Sequence, residues 1–154
     1  MPSKLAALTL AAAMAVTGTF AFAQGVVITP DPALAALTPE QMVERRQETM
    51  QSNRATMGEA AGLTGAPAVA AADQMIANFS NLTVLFPEGS IIGETRALPV
   101  IWERNADFEA ILARGVEAAT AMKAAAEAGD AAGYTTAVET IGGLCGECHG
   151  QFRS

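Results

Sequence analysis

The chain holds two cysteines and one histidine among 154 residues. All three fall in one run, Cys145-Gly146-Glu147-Cys148-His149. C-x-x-C-H is the attachment signature of a c-type haem. The spacing has a chemical reason. Thiols three residues apart project from neighbouring positions of one helical turn. There they can add to the two vinyl groups of a haem and form thioethers. The histidine beside the second thiol then reaches the iron from one face. Cys145 and Cys148 are therefore the expected attachment residues, and His149 the expected proximal ligand, of one covalent haem c.

Other chemistries fit these residues less well. C-x-x-C also serves thiol oxidoreductases. Those carry it after a strand, at a helix N-terminus, whereas here it lies near the end of the last helical pattern. A closed zinc site needs four ligands, and three Cys/His donors would need a carboxylate or a partner chain to complete it. Unrelated free thiols are a liability in an exported protein. The only histidine is committed to the iron, so no nucleophile–base pair is visible and nothing argues for an enzyme. No dinucleotide or phosphate fingerprint is present.

The motif needs a helix to carry it. Asp130 is a natural N-cap after Gly129 at a C′ position. From there Tyr134, Val138, Ile141, Cys145, Cys148 and Phe152 recur at steps of four and three, one face of a helix over 131–152. Both cysteines lie on its apolar stripe, which places the haem inside the protein. Gly142 and Gly143, one turn earlier, allow a flat macrocycle to approach. A first helix starts at Thr38-Pro39-Glu40-Gln41 with Thr as N-cap and Pro at N1, and runs to about Met57. Val43, Met50 and Met57 form its stripe, with Arg46 and Gln47 on the same side. A second helix spans roughly Ala68 to Leu85. A third begins near Pro99, carries Ile101, Phe108, Ile111, Leu112, Gly115, Ala119 and Met122 inward, and ends before Gly129. Apolar residues make up 51% of the chain but aromatics only 5%, so the apolar mass is largely alanine, the best helix former. Nothing alternates with a period of two. The expected fold is all-α, an antiparallel four-helix bundle with small core side chains and room for a bulky apolar group.

Residues 1–23 read as a secretory signal: Lys4, an apolar stretch from Leu5 to Val16, and Ala21-Phe22-Ala23 as the cleavage pattern. Residues 24–37, with Pro30 and Pro32, look like an extended leader, and 38–154 is the single domain. No other stretch is long and apolar enough to span a bilayer. The product is expected to be soluble and periplasmic. The net charge of −7 and pI of about 4.6, with no Lys/Arg-rich run, disfavour nucleic acid. The acidic balance points to basic docking partners.

An all-helical exported chain with the haem motif at its C-terminus resembles the class II cytochromes c, that is, cytochrome c′ and its low-spin relatives. The resemblance covers about Leu37 to Arg153. It rests on Arg46-Gln47, Leu85-Phe86-Pro87-Glu88-Gly89, Ile101-Trp102, Ala128-Gly129-Asp130, and Cys145-x-x-Cys148-His149-x-x-Phe152-Arg153. It implies that Arg46 and Gln47 lie against the haem and its propionates. It places Met50 at the distal position, opposite His149. Two readings of Met50 follow. As sixth ligand it raises the reduction potential and suits an electron carrier for periplasmic redox partners. As core filler it leaves a site for small gases such as NO or CO. Trp102 is read as core or pocket wall, and Arg153 as a support for His149 or a helix-end cation. The resemblance also implies a homodimer through the first two helices.

Overall fold

The computed structural model describes residues 26–154, and the export signal expected over 1–23 lies outside them. A 3-10 turn, Pro32–Ala36, precedes five helices: α1 Pro39–Ala60, α2 Gly65–Leu82, α3 Val100–Glu103, α4 Asn105–Ala128 and α5 Ala131–Phe152. The four long ones form the expected bundle, and α3 is a single turn leading into α4. None of the described helices is long and apolar enough to cross a membrane.

The helix ends follow their capping residues. At α1 the Thr38 hydroxyl accepts from the Gln41 N–H at 3.3 Å, and Gln41 Oε1 accepts from the Thr38 N–H at 2.9 Å. This reciprocal cap is worth about 1 kcal/mol. Gly129 closes α4 at φ 68°, a conformation that costs a glycine nothing. Asp130 opens α5 by accepting from the Gly133 N–H at 2.9 Å.

Five features differ from the sequence reading. The leader is not wholly extended. Asp31 caps the 3-10 turn and donates its N–H to Asn81 Oδ1 at 2.8 Å, which ties the segment to α2 and buries Leu34. α1 continues through Gly58 to Ala60. α2 begins at Gly65, because Pro67 sits in the first turn where no N–H is needed. It ends at Leu82, so Leu85 and Phe86 pack from a turn. The third helix breaks at Arg104, whose backbone leaves the helical region at ψ 42°. The break is held by side chains. Trp102 Nε1 donates to the Phe86 carbonyl at 3.1 Å, and Arg104 reaches Gln151 on α5 at 2.8 Å.

The core is built where α4 packs on α2 and α5, around Met75, Leu82, Ile101, Val116, Met122 and Ile141, all essentially inaccessible. α2 and α4 approach closely because Gly115 has no side chain: a Cβ there would stand 2.5 Å from the Phe79 ring. α1 leans mainly on α2 and touches α5 only marginally. That separation creates the site.

Candidate haem site

Between α1 and α5 lies a cavity of about 770 Å³. Well-packed interiors leave few voids larger than a water molecule, and ligand pockets span roughly 300–1,000 Å³. α5 supplies Cys145, Cys148 and His149 to one wall, at helical spacings that bring all three to one face. Both cysteines are half-buried free thiols. α1 supplies the facing wall with the stripe read from the sequence: Val43, Arg46, Gln47, Met50 and Met57. Phe79 and Leu82 of α2 and Phe108, Ile111 and Leu112 of α4 form the apolar floor. Cys145, Cys148, His149, Arg46, Gln47 and Met50 therefore all border one cavity.

The roles of Arg46 and Gln47 are more specific than the sequence suggested. Arg46 is 4% exposed, and among the described residues its guanidinium serves neutral acceptors. Nη2 donates to the Ser90 carbonyl at 2.6 Å, and Nη1 to Ser90 Oγ at 3.1 Å and to the Leu85 carbonyl at 3.3 Å. It also stacks over the Phe86 ring at 4.6 Å. Gln47 Nε2 donates to the Glu94 carbonyl at 2.9 Å. The pair pins the long α2–α3 connection to α1. One atom is left over: Arg46 Nε is buried without a partner. A buried donor wants an acceptor, and this one belongs to a cavity-lining side chain.

Burial pushes both thiols above their ordinary range, Cys148 to about 11, with Cys145 and Glu147 adding to the rise. Catalytic thiols need the opposite shift. Among the described residues no group of three or more Cys, His, Asp or Glu is placed to hold a metal ion, which leaves the zinc reading without its fourth ligand. Burial, then Arg153, then Arg96, lower the His149 pKa, keeping the imidazole neutral with a lone pair for iron. Arg153 Nη1 stands 3.5 Å from His149 Nδ1. Arg114 on α4 pairs with Glu147 at 2.6 Å and ties the motif to its neighbour. Two thiols, a neutral imidazole, an apolar cavity and an orphaned cationic donor fit a flat apolar macrocycle with an anionic edge.

The sequence reading missed Arg54, Asn53 and Arg96, all of which border the cavity. Arg54 follows Met50 by four residues and was readable from the α1 stripe. Arg96 was not, because it comes from the connection. That segment is fastened to the chain end: Ala97 bridges Arg153, the Leu98 N–H donates to the Phe152 carbonyl at 3.0 Å, and the Ser154 N–H donates to the Arg96 carbonyl at 2.9 Å. Trp102 does not border the cavity. It holds the Phe86 carbonyl from behind. A Cβ at Gly142 or Gly143 would meet nothing within 4 Å, and only Gly142 lines the cavity.

Comparison with known proteins gives a consistent result. The family model for cytochrome c′ matches residues 41–153. A cytochrome c′ from Pararhodospirillum photometricum is 32% identical over 123 residues, covering 75% of this chain and 98% of that protein. A cytochrome c-556 from Agrobacterium tumefaciens (strain II Chrys) is 35% identical over 119 residues, covering 72% and 95%. The crystal structure of cytochrome c′ from Thermochromatium tepidum superposes with a TM-score of 0.70 at 27% identity, covering 77% of this chain and 98% of that one.

Proposed function

We propose that this chain, which belongs to the cytochrome c′ family, is an exported periplasmic carrier of single electrons with Met50 as distal ligand. Proteins of this family hold one covalent haem c. When bound, that group supplies an iron that cycles between ferrous and ferric. The protein's own residues do the rest. Cys145 and Cys148 would anchor the macrocycle through thioethers, and His149 would present its neutral imidazole to one face. Arg46 and Gln47 hold the α2–α3 connection as one rim of the cavity, and Arg46 Nε offers a donor to a propionate. The apolar floor excludes water, which lowers reorganisation on electron transfer and favours the reduced, less charged iron.

The observation that carries this reading is the placement of Met50. It is half-buried on α1 and borders the same cavity as His149 on α5. A thioether ligand is neutral, and Met/His ligation suits electron transfer. A second reading has one observation in its favour. The cavity continues along α1 past Met50 to Asn53, Met57 and Gly58, which gives Met50 space to stand aside for NO or CO. Absorption and EPR spectra of the purified protein, with and without CO, separate the two. Low-spin iron that ignores CO supports the carrier. High-spin iron that binds CO supports the gas binder. A homodimer through α1 and α2 belongs to this reading, and sedimentation tests it.

A further inference from the structure

The chain contains nine Lys and Arg residues. Lys4 lies outside the described residues. Arg45, Arg104, Arg114 and Lys123 each pair with a carboxylate. The remaining four, Arg46, Arg54, Arg96 and Arg153, have no carboxylate partner among the described residues, and all four border the haem cavity. One acid, Glu94, borders it with them. The chain as a whole carries −7. Charge is thus sorted: an acidic body whose own cations are paired, and a cavity mouth whose cations are not.

Arg46 is buried and engaged with the connection. Arg54, Arg96 and Arg153 are exposed. They arrive from α1, the connection and the chain end, and the Ala97–Arg153 bridge holds the last two side by side. Against Glu94 and the two propionates of a haem, four arginines leave the mouth net positive. The Debye length is about 10 Å at 0.1 M salt, so most of the acidic body is screened from a molecule docked there. Local charge then decides encounter.

We infer that the mouth of the haem cavity is the docking surface for a one-electron redox protein that presents an acidic face, steered by Arg54, Arg96 and Arg153. This rests on the haem reading above, and it reverses the partner sign suggested by net charge. One electron passes between the haem iron here and the partner's one-electron centre; no bond forms or breaks and no proton moves.

The test uses the ferrous, haem-loaded mature protein. It is oxidised by ferricyanide, an anion, and by tris(phenanthroline)cobalt(III), a cation, each taking one electron, from 0.02 to 0.5 M ionic strength. The ferricyanide rate constant is expected to fall roughly 3- to 10-fold as salt rises, and the cobalt rate to rise. Arg54→Gln with Arg96→Gln flattens both slopes, while Lys123→Gln, outside the cavity lining and paired with Asp73, leaves them unchanged. With protein partners, an acidic blue-copper protein reacts faster than basic mitochondrial cytochrome c. A wild-type ferricyanide rate that rises with salt, or preference for the basic protein, overturns the inference without any variant. Haem staining of the denatured protein separates the two levels. A chain without covalent haem sinks the functional reading and this one together; a loaded chain with the wrong salt slopes sinks only the docking surface.

Discussion

Met50 decides between carrier and gas binder, and it sits between two arginines, Arg46 and Arg54, each one helical turn away on α1. Replacing it by leucine keeps the volume and removes the sulfur. Met50→Leu is expected to convert low-spin iron to high-spin, open the site to CO and lower the potential on the order of 0.1 V, a fraction of the ~0.8 V that axial ligands command. Identical spectra in both proteins would make Met50 filler. Arg46 acts differently, through the connection. Arg46→Leu strands the Ser90 hydroxyl and the Leu85 and Ser90 carbonyls, and each stranded buried group costs about 1–3 kcal/mol. We expect a loss of about 2–4 kcal/mol in denaturant unfolding at equal haem loading. Arg46→Lys should recover only part, since one ammonium cannot span the fork. Stability unchanged in Arg46→Leu would remove the anchoring role. Tyr134 runs the other way: its hydroxyl is buried with no partner. Tyr134→Phe should raise stability by about 1 kcal/mol, and a loss would mean that the hydroxyl is satisfied in solution.

Helix packing sets the second scale, and glycine substitutions probe it. Alanine at a mid-helix glycine ordinarily stabilises by about 0.5–1 kcal/mol. Gly143 is exposed on α5 with open space around its Cβ direction, so Gly143→Ala should follow that rule. Gly115 should break it, because its Cβ would enter the Phe79 ring on α2; Gly115→Ala is expected to cost about 1–3 kcal/mol. Equal and favourable shifts of the thermal midpoint in both variants would show that α2 and α4 can part freely. The same elements show what the sequence could and could not reveal. The bounds of α5 and the start of α1 were legible because Asp130, Gly129 and the Thr38–Gln41 pair are local signals, made and read within one turn. The stripes of α1 and α5 were legible because period 3.6 survives whatever the helix faces, and they carried Met50, Cys145 and Cys148 into one cavity, with His149 brought in by the motif beside Cys148. The break at Arg104 was not, because its causes, Phe86 and Gln151, are distant in the chain. Arg96 was hidden for a related reason: the connection has no period, and its position depends on Gln47 and the chain end.

At the scale of the whole molecule, we expect the bundle to be stable only if the space between α1 and α5 is filled. Unfilled apolar cavity costs roughly 24 cal/mol per Å³, so a sealed void of about 770 Å³ would cost ~18 kcal/mol. Domains of this size hold only about 5–15 kcal/mol in total. Water entering the mouth lowers the cost, but the apolar floor gains nothing from it. The other helices have their own core along α4, so helices should outlast the packing. We therefore expect a Cys145→Ser, Cys148→Ser chain purified without haem to keep most of its far-ultraviolet helical signal. It should lose cooperative thermal unfolding and bind a hydrophobic dye, the signature of a compact state without fixed packing. Met50→Leu, which retains the thioethers, should unfold cooperatively and serves as the control. A haem-free chain with a sharp transition at the holoprotein's midpoint would show that α1 closes onto α5 unaided. The fold would then not depend on the group.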